Sequence, residues 1–481
     1  MLRIMSALLA VVWAMGGSGS AMPPLRDPAA ALARARQAMG IQKTDDRVIH
    51  FHAVFADQQN YQSDRTYPPF FDTMTTAEVW FQAGTGIERV VSETTFPGGG
   101  APASTSIYNG EGGFLLGKSG ASRMAQSQLR IRDLNAWAVI VDWSHADHVR
   151  AGRDEVYRDY PRIVLTRRTD TGEERLFLDE KSGFPVKLEY EEPHYLWGQR
   201  RVEYLYSNWT QAGPIQVNAS AFRLTDGDVE ISATIGDVNI VREEAAPSLS
   251  MPAMTSSPDT VPLFLQAKPP TVIRVGPSTA LLVNPGYAEA VTRVGNDVWI
   301  FDATQSERRA QLDAEAIAAL FPGSHHINVV VTDLAWPHVA GVRYWVSQGA
   351  TIVAHTAARS FLQRVVDRRW TRAPDALERR RGVAKFSFVG IDSRRAMAGG
   401  SVIVAPIDGI GSEVALIGYL PADRFLWASD YIQTVSEPSA YVTDVWSAVQ
   451  RAGFDPSQTA AQHMALTPWT VISDLARGAP R

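Results

Sequence analysis

The feature that most constrains this chain is a break in rhythm near its midpoint. Before the break, apolar residues recur at strand spacing in residues 48–55 (VIHFHAVF), 78–81, 175–178 (RLFL), 184–190 (FPVKLEY) and 202–206 (VEYLY). Turns are expected at Asn109-Gly110 and Lys181-Ser182-Gly183. Residues 243–261, EEAAPSLSMPAMTSSPDTV, are rich in Pro, Ser, Ala and Met and have no period. Beyond them, residues 298–301 (VWIF) read as a buried strand ending in Asp302, Ser306 caps a helix through Leu320, and Phe321-Pro322-Gly323 stops it. Residues 327–331 form the next strand, and strand, helix, strand in that order is an α/β unit. A chain of 481 residues is long enough for two such bodies. The expected layout is a signal peptide at 1–21, a short helical lead-in at 22–46, a β-rich domain at 47–241 with a helical insertion near 132–146, a linker at 242–261 and a second domain at 262–481.

Composition narrows the function classes. Cysteine is absent, so disulfides and thiolate ligands are excluded and a metal site must use nitrogen and oxygen. The net charge is −5 with Lys and Arg scattered, which gives no electrostatic footprint for nucleic acid. Arg3, the apolar run MSALLAVVWAM at 5–15 and Gly19-Ser20-Ala21 read as a secretory signal whose run is too short to span a bilayer. The expected location is periplasmic or secreted, with no integral membrane segment in the mature chain.

Three short patterns imitate chemistry. Residues 112–119 (GGFLLGKS) match a phosphate loop formally, but the interior Phe-Leu-Leu and the following Gly120 point to a β-hairpin. Residues 142–148 (DWSHADH) place His145 and His148 three apart on a segment read as helical, with no third ligand to name. His50 and His52 alternate on one strand face, where a satisfied β-face is the default reading.

A fourth pattern recurs at several points. Residues 329–362 read VVVTDLAWPHVAGVRYWVSQGATIVAHTAARSFL, preceded by WIFD at 299–302. APIDGIGS at 405–412 comes before IGYLP at 417–421, FLWASD ends at Asp430, and Gln462-His463 precede Pro468-Trp469. This succession resembles the metallo-β-lactamase fold, whose signature THxHxDHxGG is followed by a helix and a GATIVAH-like strand. The resemblance implies an αββα sandwich over about 262–480. Laid on the signature, Thr332 keeps its place, Asp333 stands at the first His, Ala335 at the second, Pro337 at the Asp, and only His338 survives. Gly411 stands where the family carries its next His.

The resemblance therefore implies that one metal position is dismantled. Of the second position's ligands, His338, Asp430 and His463 remain, with Asp333 the other candidate beside them. Two imidazoles and a carboxylate can hold one zinc, iron or manganese ion. The N-terminal run around ERLFLDEKSGFPVKLEYEEP resembles in rhythm the half-barrel of periplasmic lipoprotein carriers, which implies a small-molecule or lipid-like ligand. The expected fold class is α+β, a half-barrel-like β-rich domain followed by a metallo-β-lactamase-type sandwich. The expected function is an exported binding or scaffolding derivative with an eroded two-metal centre. The alternative is a mono-metal hydrolase of acyl or phosphoryl substrates.

Overall fold

The computed structural model describes residues 27–478 apart from 43–45, 59–64, 69–72, 97–98, 101–102, 110–111, 119, 125–129, 170–171, 243–245, 251–266, 410–412, 434 and 436–438. The expected signal peptide, most of the linker and Gly411 lie outside the described residues.

The first body is one 15-stranded antiparallel sheet built from residues 48–241. Its central strands Val48–Asp57 and Asp228–Val241 pair the two ends of that stretch, so the sheet runs outward from a seam in two limbs. Two helices cover one face. Pro28–Met39 starts with Asp27 accepting from the Ala29 and Ala30 amides and Pro28 in the first turn, and it stops at Gly40 with φ 73°. Ala136–His145 is capped by Asn135, which also donates to Glu88 Oε2 at 2.9 Å. This second helix is apolar nearly all round, and Trp137 and Trp143 are fully buried under the sheet. One apolar face of the sheet thus packs against the protein's own helices in a single buried cluster.

Two of the imitated motifs resolve here. Gly112–Gly117 is a strand paired with Ser104–Asn109 and Gly120–Arg123, not a loop opening a helix. The helix ends at His145, and His148 lies beyond it at φ 62°, so the two rings do not share a helix face. A shared face would have needed another turn of helix, and Ala146 is already extended.

The second body is two sheets face to face with helices outside both. The 7-stranded sheet runs in chain order from Thr271–Arg274 to Ser387–Ile391, antiparallel at first and parallel from Asp297–Phe301 onward. The 6-stranded sheet runs in chain order from Arg395–Met397 to Met464–Pro468. Strand alternation sorts the side chains into three layers. Leu281, Trp299, Phe301 and Val330 meet Val404, Leu416, Phe425 and Trp427 between the sheets. Ala280, Leu282 and Ile300 face the outer helices with Ala310, Trp345 and Phe361, while Ile403, Ile417 and Leu426 face Val445, Val449 and Ile472. Helix, sheet, sheet, helix is the order expected from the sequence. Glu307–Leu320 begins where Ser306 accepts from the Arg309 amide at 3.2 Å. Among the described residues no helix is long and apolar enough to cross a membrane.

The bodies are locked together by a hairpin tip. Between Pro185–His194 and Gly198–Ala212, the turn residue Leu196 is wholly buried in the sandwich's outer-helix cluster. Trp197 packs edge-on against Trp336 and Phe361. Arg368 donates to the Trp197 and Gln199 carbonyls at 2.8 and 2.6 Å. Gly198 is required there, because a Cβ would stand 2.6 Å from the Trp370 ring at φ 66°. The tip therefore packs against Trp336, two residues before His338.

Candidate metal centre

Three chain segments deliver the candidate ligands to one end of the sandwich. Strand His326–Val330 runs into a loop held by Thr332, whose amide and hydroxyl donate to Asp302 at 2.7 and 2.8 Å. The Thr332 carbonyl accepts from the Leu416 amide at 2.8 Å, tying this loop to the other sheet. Pro337 then sits at the start of the short helix Trp336–Val339, which carries His338. Asp430 follows strand Phe425–Trp427 after Ser429, a buried residue held at φ 56°. His463 occupies the turn between Gln458–Ala461 and Met464–Pro468. One nitrogen of His338, one of His463 and one oxygen of Asp430 lie within 4.8 Å of one another.

The outer nitrogens of both rings are already committed. His338 Nδ1 lies 2.7 Å from Asp333 Oδ1, and His463 Nδ1 lies 2.6 Å from the Gly286 carbonyl. A carbonyl only accepts, so the Nδ1 of His463 carries a hydrogen, and Nε2 is the nitrogen turned toward Asp430. That Nε2 stands 3.1 Å from Asp430 Oδ1, another acceptor. A ring nitrogen and a carboxylate oxygen at that distance need a proton or a metal cation between them. Tyr287 closes over the pair, its ring 4.7 Å from His463 and 5.8 Å from His338. Gln433 Nε2 donates to Asp430 Oδ1 at 2.5 Å from the solvent side.

Beneath the ligands lies a carboxylate layer. Asp333 accepts from His338, the Ala335 amide at 2.8 Å, Gln462 Nε2 at 3.0 Å and Ser429 Oγ at 3.2 Å. Asp302 accepts from Thr332, Trp427 Nε1 at 2.8 Å and the same Gln462 nitrogen at 2.8 Å. Complete burial and the Asp333 charge raise Asp302 to about 6. Burial also pushes against ionisation of Asp333, but His338 and the surrounding donors outweigh it and hold the carboxyl below its usual range. Burial opposes the charge on His338 too, yet Asp333 and Asp430 lift it to about 9.

The structure thus brings together His338, Asp430 and His463, while Asp333 orients His338 from behind. Ala335, at the second vacated position, is buried. His355 ends strand Thr351–His355, and His325 bonds the Phe321 carbonyl at 3.0 Å. Asp302, Ser429 and Gln462 lie within the spaced motifs, but nothing local marks them as partners of the site. Tyr287 and Gly286 carried no signal, because they sit in a hairpin turn over a hundred residues from His463. A second group of the same composition, His50, His52 and Glu78, lies on the outer face of the large sheet. Glu78 was missed because only the cross-strand register brings it beside His52.

No family model and no curated protein matches the sequence. Solved structures do. The DIM-1 metallo-beta-lactamase is matched at 14% identity, covering 45% of this chain and all of that one, with a TM-score of 0.34. The FIM-1 metallo-beta-lactamase from Pseudomonas aeruginosa in the mono-zinc form is matched at 12% identity over 44% of this chain and 96% of that one, with a TM-score of 0.35. A metallo-beta-lactamase from Hirschia baltica is matched at 14% identity over 44% of this chain and 100% of that one, TM-score 0.33. At such scores the architecture rests on the chain's own two sheets and flanking helices, and the solved proteins it is similar to are metallo-beta-lactamases.

Proposed function

We propose that this chain is an exported protein whose sandwich descends from metallo-β-lactamase-type hydrolases and holds one divalent ion, zinc in the simplest case, as a binding module. His338, Asp430 and His463 would hold it. The observation that carries this reading is the commitment of both outer ring nitrogens, His338 to Asp333 and His463 to Gly286. Ligating histidines are oriented in that way by a carboxylate or carbonyl behind them. Once bound, the ion would offer a Lewis-acid position open to an oxygen ligand.

Binding is favoured over turnover by the state of the neighbouring carboxylates. Asp333 and Asp302 each accept several buried donors, so neither is free to take a proton from water. Pro337 stands where the family's water-orienting Asp would be. The large sheet fits a half-barrel reading in which its own helices fill the concave side, and its hairpin tip braces the His338 loop. The partly exposed Asp430 and His463 side chains, at 10% and 24%, keep a mono-metal hydrolase as the second reading.

Metal analysis of protein purified without chelators tests the proposal. His338→Ala with His463→Ala is expected to lower zinc content by about one ion per chain. Hydrolysis of nitrocefin, p-nitrophenyl acetate and bis-p-nitrophenyl phosphate is expected to be equal in wild type and variant. Unchanged zinc content would overturn the metal site, and turnover lost in the variant would replace the binding reading with the hydrolase.

A further inference from the structure

Residues two apart on a strand share a face, and His50 and His52 do so on Val48–Asp57. That face is the one turned away from the helices, since Ile49, Phe51 and Ala53 point into the core. In the antiparallel pairing with Thr73–Gln82, His52 stands directly opposite Glu78 and His50 opposite Trp80. Directly opposed side chains on one face are nearest neighbours. One nitrogen from each ring and one Glu78 oxygen lie within 4.8 Å of one another.

Several features set this trio apart from a solvated strand face. The Nε2 of His50 is buried and has no hydrogen-bond partner. An unmatched ring nitrogen of this kind is costly unless something binds it. The His50 ring is also held in place, stacked on Trp80 with centroids 4.8 Å apart and planes 18° from parallel. On the other flank, the pairing with Asp228–Val241 shifts register between His50 and His52, with Asp237 at φ 51°. Bulges of this type re-aim side chains beside functional positions. The shift sets Gly236 opposite His52, where a Cβ would have open space around it, so that flank is clear.

We propose that His50, His52 and Glu78 form a second, surface site for a divalent transition-metal ion of the zinc class, separate from the sandwich site. Imidazole and carboxylate are the donors such ions take, and bonds of about 2.1 Å place neighbouring ligands about 3.4 Å apart. The three donor atoms, now within 4.8 Å of one another, would have to close to that value on binding, and His52 and Glu78 are exposed on the sheet face. Three protein ligands leave one position for water or for a donor from a bound molecule.

The test uses the full mature chain, stripped of metal and dialysed against zinc, with zinc counted per chain and diethylpyrocarbonate labelling located by peptide mass spectrometry. The expected result is that His52→Ala with Glu78→Gln binds about one zinc fewer than wild type and keeps its far-ultraviolet spectrum and melting temperature. Zinc is expected to protect the exposed His52 from labelling in wild type and in His338→Ala with His463→Ala. Unchanged stoichiometry in the His52 and Glu78 variant, or labelling of His52 that zinc does not alter, overturns the proposal. The sandwich site is scored separately, because its loss shows only in the His338 and His463 variant.

Discussion

The two histidine–carboxylate trios have the same donors in opposite settings. In the sandwich, His338 is 2% exposed, each ring has a fixed acceptor behind it, and a second layer of carboxylates lies underneath. On the large sheet, His52 and Glu78 are exposed, and the orienting contact is a stack on Trp80. The sandwich trio is assembled from three separate chain segments, 92 and 33 residues apart in sequence, the sheet trio from two adjacent strands. The difference teaches that the same donor types can be set in very different surroundings. Preorganisation comes from what stands behind the ligands, and it makes the surroundings vulnerable as well as effective.

The largest expected effect follows from removing that backing. Asp333→Ala strands His338 and three further donors in the interior, which should cost about 3–5 kcal/mol in denaturant unfolding. A cost below about 1 kcal/mol would show that the buried trio is no more dependent on its surroundings than the exposed one.

The second effect is on pH. In metal-free protein, His338 rises from its ordinary value of 6.5 to about 9 on folding, burial opposing the shift and Asp333 and Asp430 driving it. Its contribution is complete below about pH 6.5 and lost as pH climbs through 9, up to roughly 3 kcal/mol. Equilibrium unfolding at pH 6 and pH 9.5 should show this loss in wild type and not in His338→Gln. Zinc competes with that proton, so binding to the sandwich should tighten through the same window.

Smaller again, Gln462→Ala removes the nitrogen shared by Asp302 and Asp333 and should cost about 1.5–3 kcal/mol. The smallest effect belongs to the sheet trio. Glu78→Gln is exposed and should change stability by less than about 0.5 kcal/mol, leaving only zinc binding to report it.

The strands, the Ser306 cap and the strand–helix–strand unit were legible because they follow from local period and capping chemistry. His338, Asp430 and His463 were picked out through spaced motifs, and their side chains do meet. What lay hidden is what only tertiary structure supplies. Tyr287 and Gly286 come from a hairpin turn, Glu78 from a register, and the Leu196 plug from a turn whose apolar residues find a partner in another body. The packing of residues 136–141 against the large sheet was hidden as well, because only the folded chain brings that apolar helix onto strands far from it in sequence. His145 and His148 were misplaced because strand-like backbone begins at Ala146.

The central claim is that the buried trio holds one metal ion through its backed imidazoles. The most direct measurement is equilibrium dialysis of zinc against the stripped chain carrying His52→Ala and Glu78→Gln, which leaves the sandwich site alone. The account predicts about one zinc per chain, abolished by adding His463→Ala and weakened roughly 10–100-fold by adding Asp333→Asn. Zinc binding that is absent in the first variant, or that survives the loss of His463, would contradict it.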